Sequence, residues 1–213
     1  MEKIIVLGGG GHAKVVMDAI LAAGKYEIAA VVDPALKKGS KLMGAEVAGE
    51  DEELAGLFSR GLKTCALGVG SVGDITARRD LYSIAKKMGF EFPALVHPRA
   101  FVSSFALLGE GTFVAAQAAV NPGAETGVCC LINTGAVVEH DCRLGDFVHV
   151  SPKAVLCGNV AVEQGAHIGA GATVIEGRRI GRNALVGAGS LVTGDIGPDS
   201  LWYGVPAREK GKR

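Results

Sequence analysis

The sequence predicts a small α/β domain followed by an all-β parallel β-helix. Three observations carry that prediction. Strand-like apolar runs alternate with helical patterns in the first hundred residues. From Ala100 to Asp195 the chain repeats every six residues, sixteen times without an insertion. The change of period falls at His97–Pro98, which divides the chain into domains 1–97 and 98–213.

In the first domain IIVLG (4–8) reads as a buried strand, followed by a glycine run and a helix from about His12 to Ala23 closed by Gly24. IAAVVD (28–33) is a second strand, Glu52 to Phe58 a short helix, and TCALGVG (64–70) a third strand. Asp74 is placed to cap a helix with Ile75, Leu81, Ile84, Ala85 and Met88 on one face and Gly89 past its end. ALVHP (94–98) closes the domain. Strands alternating with helices imply a parallel sheet.

In the repeat, the third place of each hexad is aliphatic in fifteen cases of sixteen, Thr126 being the exception. The first place is mostly Ala, Cys, Ser, Thr or Val. A fixed six-residue period with one small and one large inward side chain is the signature of a stacked-strand solenoid. Sixteen hexads make five and one-third turns of eighteen residues, a prism about 25 Å long at the ~4.8 Å strand spacing. The segment after Asp195 is expected to cap its open end.

The chain has 22 basic and 22 acidic residues, so no electrostatic footprint for nucleic acid or a membrane surface is present. The repeat carries 13 charged residues in 96, and such bland faces are expected to pack against copies of the chain. The opening residues lack the apolar stretch of a signal peptide, and no run reaches membrane-spanning length, so a cytoplasmic location is expected. Five cysteines, two of them adjacent, read as small core residues and not as a disulfide framework.

Gly8-Gly9-Gly10-Gly11-His12-Ala13 fits G-x-G-x-x-A between strand and helix, and Asp33 ends the next strand. Glycines there let backbone N–H groups approach a diphosphate at a helix N-terminus. The first domain therefore reads as Rossmann-like. At under 100 residues it is half a dinucleotide fold, which favours a nucleotide or nucleotide sugar over NAD(P). A tight turn packing helix on sheet is the plain alternative.

Three of the five histidines lie in the repeat. His140 is at the fifth place of AVVEHD, flanked by Glu139 and Asp141, either of which is able to orient the ring. His149 and His167 occupy the outward second place eighteen residues apart, one above the other. Three outward histidines also raise a zinc hydrase of the γ-carbonic-anhydrase kind, but that family's close histidine pair is missing.

With VLGGGGHAKVV, NTGAVVEHDCRLGDFVHVSPKAVLCGNV and LVTGDIGPDSLWYGVPAR in view, the chain resembles a family over essentially its whole length. These are the left-handed β-helix (hexapeptide-repeat) acetyltransferases of nucleotide-linked amino sugars, including bacillosamine and perosamine N-acetyltransferases and sialic-acid O-acetyltransferase relatives. The left hand comes from this resemblance, which implies acetyl transfer from acetyl-CoA without a metal. It further implies a homotrimer with the coenzyme between two solenoids, and a nucleotide-linked amino sugar as the partner substrate. By motif, His140 corresponds to the catalytic base and Asp141 to its neighbouring acid, with Glu139 beside them. His149 matches the contact to the thioester. Gly158, Ala170 and Ala188 match the backbone lining of the coenzyme arm. Gly10, Gly11, His12, Asp33, Gly70 and Asn133 match the sugar-nucleotide pocket. Arg178, Arg179, Arg182 and the basic tail are read either as contacts to coenzyme phosphates or as solvated surface. O-acetylation is the alternative within the class; a non-catalytic scaffold or sensor is the alternative outside it.

Overall fold

The computed structural model describes residues 1–213. Met1–Pro98 and Arg99–Arg213 form two compact units.

The first unit holds β1 (Glu2–Leu7), α1 (Gly11–Ala23), β2 (Tyr26–Val32), β3 (Lys41–Leu42), β4 (Ala45–Gly49), α2 (Glu53–Ser59), β5 (Thr64–Leu67) and α3 (Thr76–Lys87). Its sheet has the order β3-β4-β2-β1-β5, parallel except for the β3–β4 pair. Central β1 is covered on both faces, and Ile4, Ile5, Val6 and Leu7 are wholly buried, as an apolar run in a parallel sheet requires. Ala13, Val16, Met17 and Ile20 form the buried stripe of α1. Gly24 ends that helix in the left-handed conformation, its N–H donating to the Ile20 carbonyl.

Two expectations for this unit need correction. The face proposed for α3 is buried only in part: Ala85 is wholly buried and Ile75 and Leu81 are half-buried, but Ile84 and Met88 are exposed, whereas Arg78 is 2% exposed. The Arg78 guanidinium donates to the Val69 carbonyl at 2.5 Å, so this cation is taken inward by a backbone acceptor beyond the end of β5. The sequence reading also lacked β3 and β4. β3 is only two residues long, and β4 alternates buried with less buried positions but does so largely in small residues, Ala45, Val47 and Gly49 inward, while running parallel to β2. Asp74 does accept the N–H of Thr76 at the start of α3, at 2.8 Å.

The second unit is a coil with three faces. Face A stacks strands at residues 101–102, 119–120, 137–138, 155–156, 173–174 and 191–192. Face B stacks 125–126, 143–144, 161–162 and 179–180. Face C includes 113–114, 131–132, 149–150, 167–168 and 185–186, continued by Ser200–Gly204 and, antiparallel, Ala207–Lys212. All pairings within the repeat are parallel and in register at eighteen residues, as in Leu131↔His149↔His167. The third-place side chains from Val114 to Val192 are buried without exception. Full burial of one such side chain stabilises by roughly 1.5–3 kcal/mol.

The corners share one backbone turn at their sixth place. At ten corners, from Ala106 to Ser190, the N–H of the first-place residue donates to the fourth-place carbonyl before it, as Ala136 does to Asn133 at 2.9 Å. Every sixth place from Gly111 to Asn183 and Gly189 has positive φ. This is the type II arrangement, whose third residue requires the left-handed region.

The coil runs past Asp195: Ile196 bridges to Ile180, and Ser200–Gly204 pairs with the strand at 185–186. The basic tail is therefore an ordered edge strand. No two cysteines are bridged, and only Cys157 is partly exposed.

Candidate functional site

The structure divides the candidate residues of the coil between two corners. His140 is at the fifth place after the face A strand 137–138, so it stands on the corner leading to face B. Its Nδ1–H donates to Asp141 Oδ2 at 2.9 Å, and both side chains are exposed. The Asp141 hydrogen bond raises the His140 pKa above the ordinary histidine value; hydration loss opposes this, and the charges of Asp141, Glu139 and Glu176 add to it. Nδ1 is engaged by the carboxylate, so Nε2 is the nitrogen able to exchange a proton with a substrate. Gly158 is one turn further along the same corner. A Cβ placed on it would lie 2.5 Å from both Cε1 and Nε2 of His140.

Asn133, Ala170 and Ala188 share the other corner, between faces C and A, and His149 is on face C itself. The Asn133 amide is fixed by its Oδ1, which accepts the Thr134 N–H at 2.8 Å. Its Nδ2–H therefore donates to His149 Nε2 at 3.2 Å, which leaves the ring proton of neutral His149 on Nδ1. His167 stacks one turn away, ring centroids 4.6 Å apart, with its Nε2 bonded to Ser151 Oγ at 3.0 Å. Both rings occupy outward places yet are only 7% and 8% exposed, so the expectation of surface histidines is corrected. Burial first, then His149 and Arg213, pushes His167 down to about 4. The three coil histidines do not converge on one point in a single chain, since His140 stands on a different corner from the other two.

The arginines read either as coenzyme-phosphate contacts or as solvated surface are each paired with an acidic side chain. Arg179 binds Glu163 with two nitrogens, Arg178 approaches Asp195 at 3.8 Å, and Arg182 approaches Asp199 at 3.6 Å. Arg213 donates to the carbonyls of Gly165 and Asn183.

In the first unit the glycines separate by role. Gly8 has φ +100°, and a Cβ there would meet Val69 Cγ2 at 2.6 Å; on Gly9 it would meet Leu36 at 2.3 Å. Gly10 and Gly11 face open space. Asp33 ties the loop down: Oδ2 accepts the Gly9 N–H at 2.6 Å, and Oδ1 accepts the Ala35 N–H at 2.7 Å. Its carboxylate thus has a structural task, beside which the ribose or base role must fit. Gly70 packs against His12, a Cβ on it falling 3.2 Å from His12 Cβ. A cleft of about 370 Å³ opens at the carboxyl ends of the strands, lined by Gly8, Asp33, Val69, Leu81 and Ile84 among others, where ligands of open α/β sheets bind. A larger hollow of about 600 Å³ lies among Lys3, Ala30, Ala48 and Arg60, away from the glycine loop. Sequence reasoning missed Arg78, which steadies the Val69 wall of the cleft, because an arginine on a helix reads as solvated.

Residues 3–85 match the family model of the PglD N-terminal domain. PerB from Caulobacter crescentus, solved with CoA and GDP-perosamine, is 41% identical with a TM-score of 0.91, covering 99% of this chain and 98% of that one. The acetyltransferase domain of PglB from Neisseria gonorrhoeae, solved with acetyl coenzyme A, is 36% identical with a TM-score of 0.90, covering 98% and 99%. UDP-N-acetylbacillosamine N-acetyltransferase from Bacillus subtilis is 40% identical over 121 residues, 54% of this chain and 52% of that protein. The chain spans about half the length of such curated relatives. The full-length likeness to PerB, with the small parallel sheet and the three-faced coil, shows that the chain belongs to the hexapeptide-repeat, left-handed β-helix acetyltransferase family.

Proposed function

We propose that the protein transfers the acetyl group of acetyl-CoA to the amine of a nucleotide-linked amino sugar, with His140 as general base. The observation that carries the reading is the His140–Asp141 pair, bonded at 2.9 Å on an exposed corner. The amine nitrogen attacks the thioester carbonyl while Nε2 takes its proton. The C–S bond then breaks, and the proton passes from the imidazolium to the departing thiolate. Positioned general-base help is worth roughly 10²–10⁴ in rate. The Nδ1–H of His149 is the donor assigned to the developing oxyanion, a contact worth ~3 kcal/mol. The glycine loop, with Gly10, Gly11, His12, Asp33 and Gly70, is assigned to the nucleotide end of the acceptor. Relatives solved with CoA, acetyl coenzyme A and GDP-perosamine support these assignments.

A homotrimer with the acetyl donor between two coils completes the proposal. Two observations support it. His140 and His149 stand on different parts of the coil, so one chain does not unite base and oxyanion donor. Face A presents Ala119, Val137, Val155, Thr173 and Leu191 outward, all half-exposed and uncharged, as suits a face packed against a copy.

The test is thiol release from acetyl-CoA with a panel of uridine-, guanosine- and thymidine-diphosphate amino sugars and their hydroxyl counterparts. An amino sugar should support turnover, and His140→Ala should cut it by at least about 10² with an unchanged Tm. A stable and fully active His140→Ala variant, or release with hydroxyl acceptors only, overturns the reading.

A further inference from the structure

Two glycines stand against the His140–Asp141 pair, one on each side. Asp141 occupies the sixth place of its hexad, and Gly123 the sixth place of the hexad one turn earlier. A Cβ on Gly123 would lie 2.5 Å from Asp141 Oδ1, with the Asp141 backbone no nearer than 3.5 Å. What it would displace is therefore the carboxylate alone. On the other side, a Cβ on Gly158 would lie 2.5 Å from Cε1 and Nε2 of the imidazole.

Backbone conformation alone does not demand glycine at either place. Seven sixth places of the coil hold other residues at positive φ, among them Gln117, Lys153 and Asn159. The turn therefore tolerates a side chain at 123 for the usual left-handed cost of about 1–2 kcal/mol. Gly158 does not have a positive φ, so an alanine fits its backbone. Gly177, further along the corner of Gly123 and Asp141, meets nothing within 4 Å. Glycine in this column is thus tied to a close contact at 123 but not at 177.

We propose that Gly123 and Gly158 are positioning residues for the transfer reaction, seating the Asp141 carboxylate and the His140 ring so that Nδ1 stays bonded and Nε2 stays presented. The inference rests on the reading of His140 as the base. An alanine methyl at 123 forces the carboxylate to turn, and Oδ2 then leaves Nδ1. The ring loses both its orientation and the partner that favours its protonated form. Besides Asp141, the charged groups facing the ring are Glu139 on its own corner and Glu176 further along the coil. Neither is touched by the substitution.

The imidazole can be followed without turnover, by titrating its Cε1–H resonance in the full-length protein, assigned with His140→Ala. Gly123→Ala should move the His140 titration downward, in the direction and to the extent of Asp141→Asn. Adding it to Asp141→Asn should move it no further. Acetyl transfer should fall on the order of 10²-fold, the cost of a misplacement of about 1 Å, and the acid limb of kcat/KM should move down with the titration. Gly158→Ala, read in the same two ways, is the second arm should Gly123→Ala fail to fold. Gly177→Ala should change neither titration nor rate. A His140 titration and pH profile unmoved by Gly123→Ala or Gly158→Ala overturns the proposal. Failure of the base reading is separate: it appears as activity in His140→Ala, whatever the glycine variants do.

Discussion

His167 shows how far one residue's setting departs from its place in the pattern. It holds an outward position of a repeat, yet its ring is packed against His149 and bonded to Ser151 Oγ. Burial, followed by the fields of His149 and Arg213, holds it down to about 4 in the folded chain, against about 6.5 when unfolded. Between those values the unfolded chain takes up a proton that the folded chain refuses. Stability should therefore fall as pH drops from about 6.5 towards 4 and stay level above that window, by on the order of 3 kcal/mol from this group. Urea midpoints measured across that range should lose most of their slope in His167→Gln. An unchanged slope would show that the ring is not held neutral. His140, exposed and bonded to Asp141, is shifted the opposite way. Two histidines of one repeat are thus shifted in opposite directions, each by what surrounds its ring.

At the scale of elements, the glycine loop joins strand and helix and also offers itself to a ligand, and its four glycines divide those tasks. Gly8→Ala should destabilise the protein, because its φ of +100° and the 2.6 Å approach to Val69 both forbid a methyl. Gly10 has an ordinary φ of −76° and open space around it. Gly10→Ala should leave Tm within about 1 °C, a surface substitution clear of contacts, while raising KM for the nucleotide sugar. A Gly10→Ala variant with normal KM removes that glycine from the binding site. This division was not legible in four consecutive identical letters, because it depends on which neighbour approaches each one. The coil was legible for the opposite reason: its rule is written in side-chain identity, small at the first place and aliphatic at the third. Its left-handed sixth places were less so, since Asp141, Phe147 and Lys153 adopt a conformation usually announced by glycine. Strand β3 is too short to carry a pattern, β4 alternates only in small residues, and buried Arg78 imitated a solvated helix face. His140 and Asp141 stood out by adjacency, but the close fit of Gly158 against that ring needs coordinates.

For the whole molecule the decisive fact is arithmetic on an eighteen-residue turn. Residues nine apart, as His140 and His149 are, stand half a turn away from each other around the prism. Asn133, Ala170 and Ala188 fall on a corner that His140 does not share. In the proposed trimer a catalytic unit using both groups draws them from two copies, and the closed ring supplies every site with one of each. Charge follows the same division: face B carries Glu125, Arg143 and Arg179 outward, whereas the outward row of face A after Phe101 runs Ala119, Val137, Val155, Thr173 and Leu191. The consequence can be tested by mixing. His140→Ala and His149→Ala should each be nearly inactive alone. Co-expressed in equal amounts, they should form rings in which about a quarter of the sites pair an intact His140 with an intact His149 from the neighbouring copy. Activity should return to about that fraction, and Val155→Glu, which puts charge on face A, should abolish the recovery together with the assembly seen in sedimentation. If the two groups served the same site from one chain, no mixture would contain an intact pair except by wild-type contamination, and the co-expressed variants would stay as inactive as either parent.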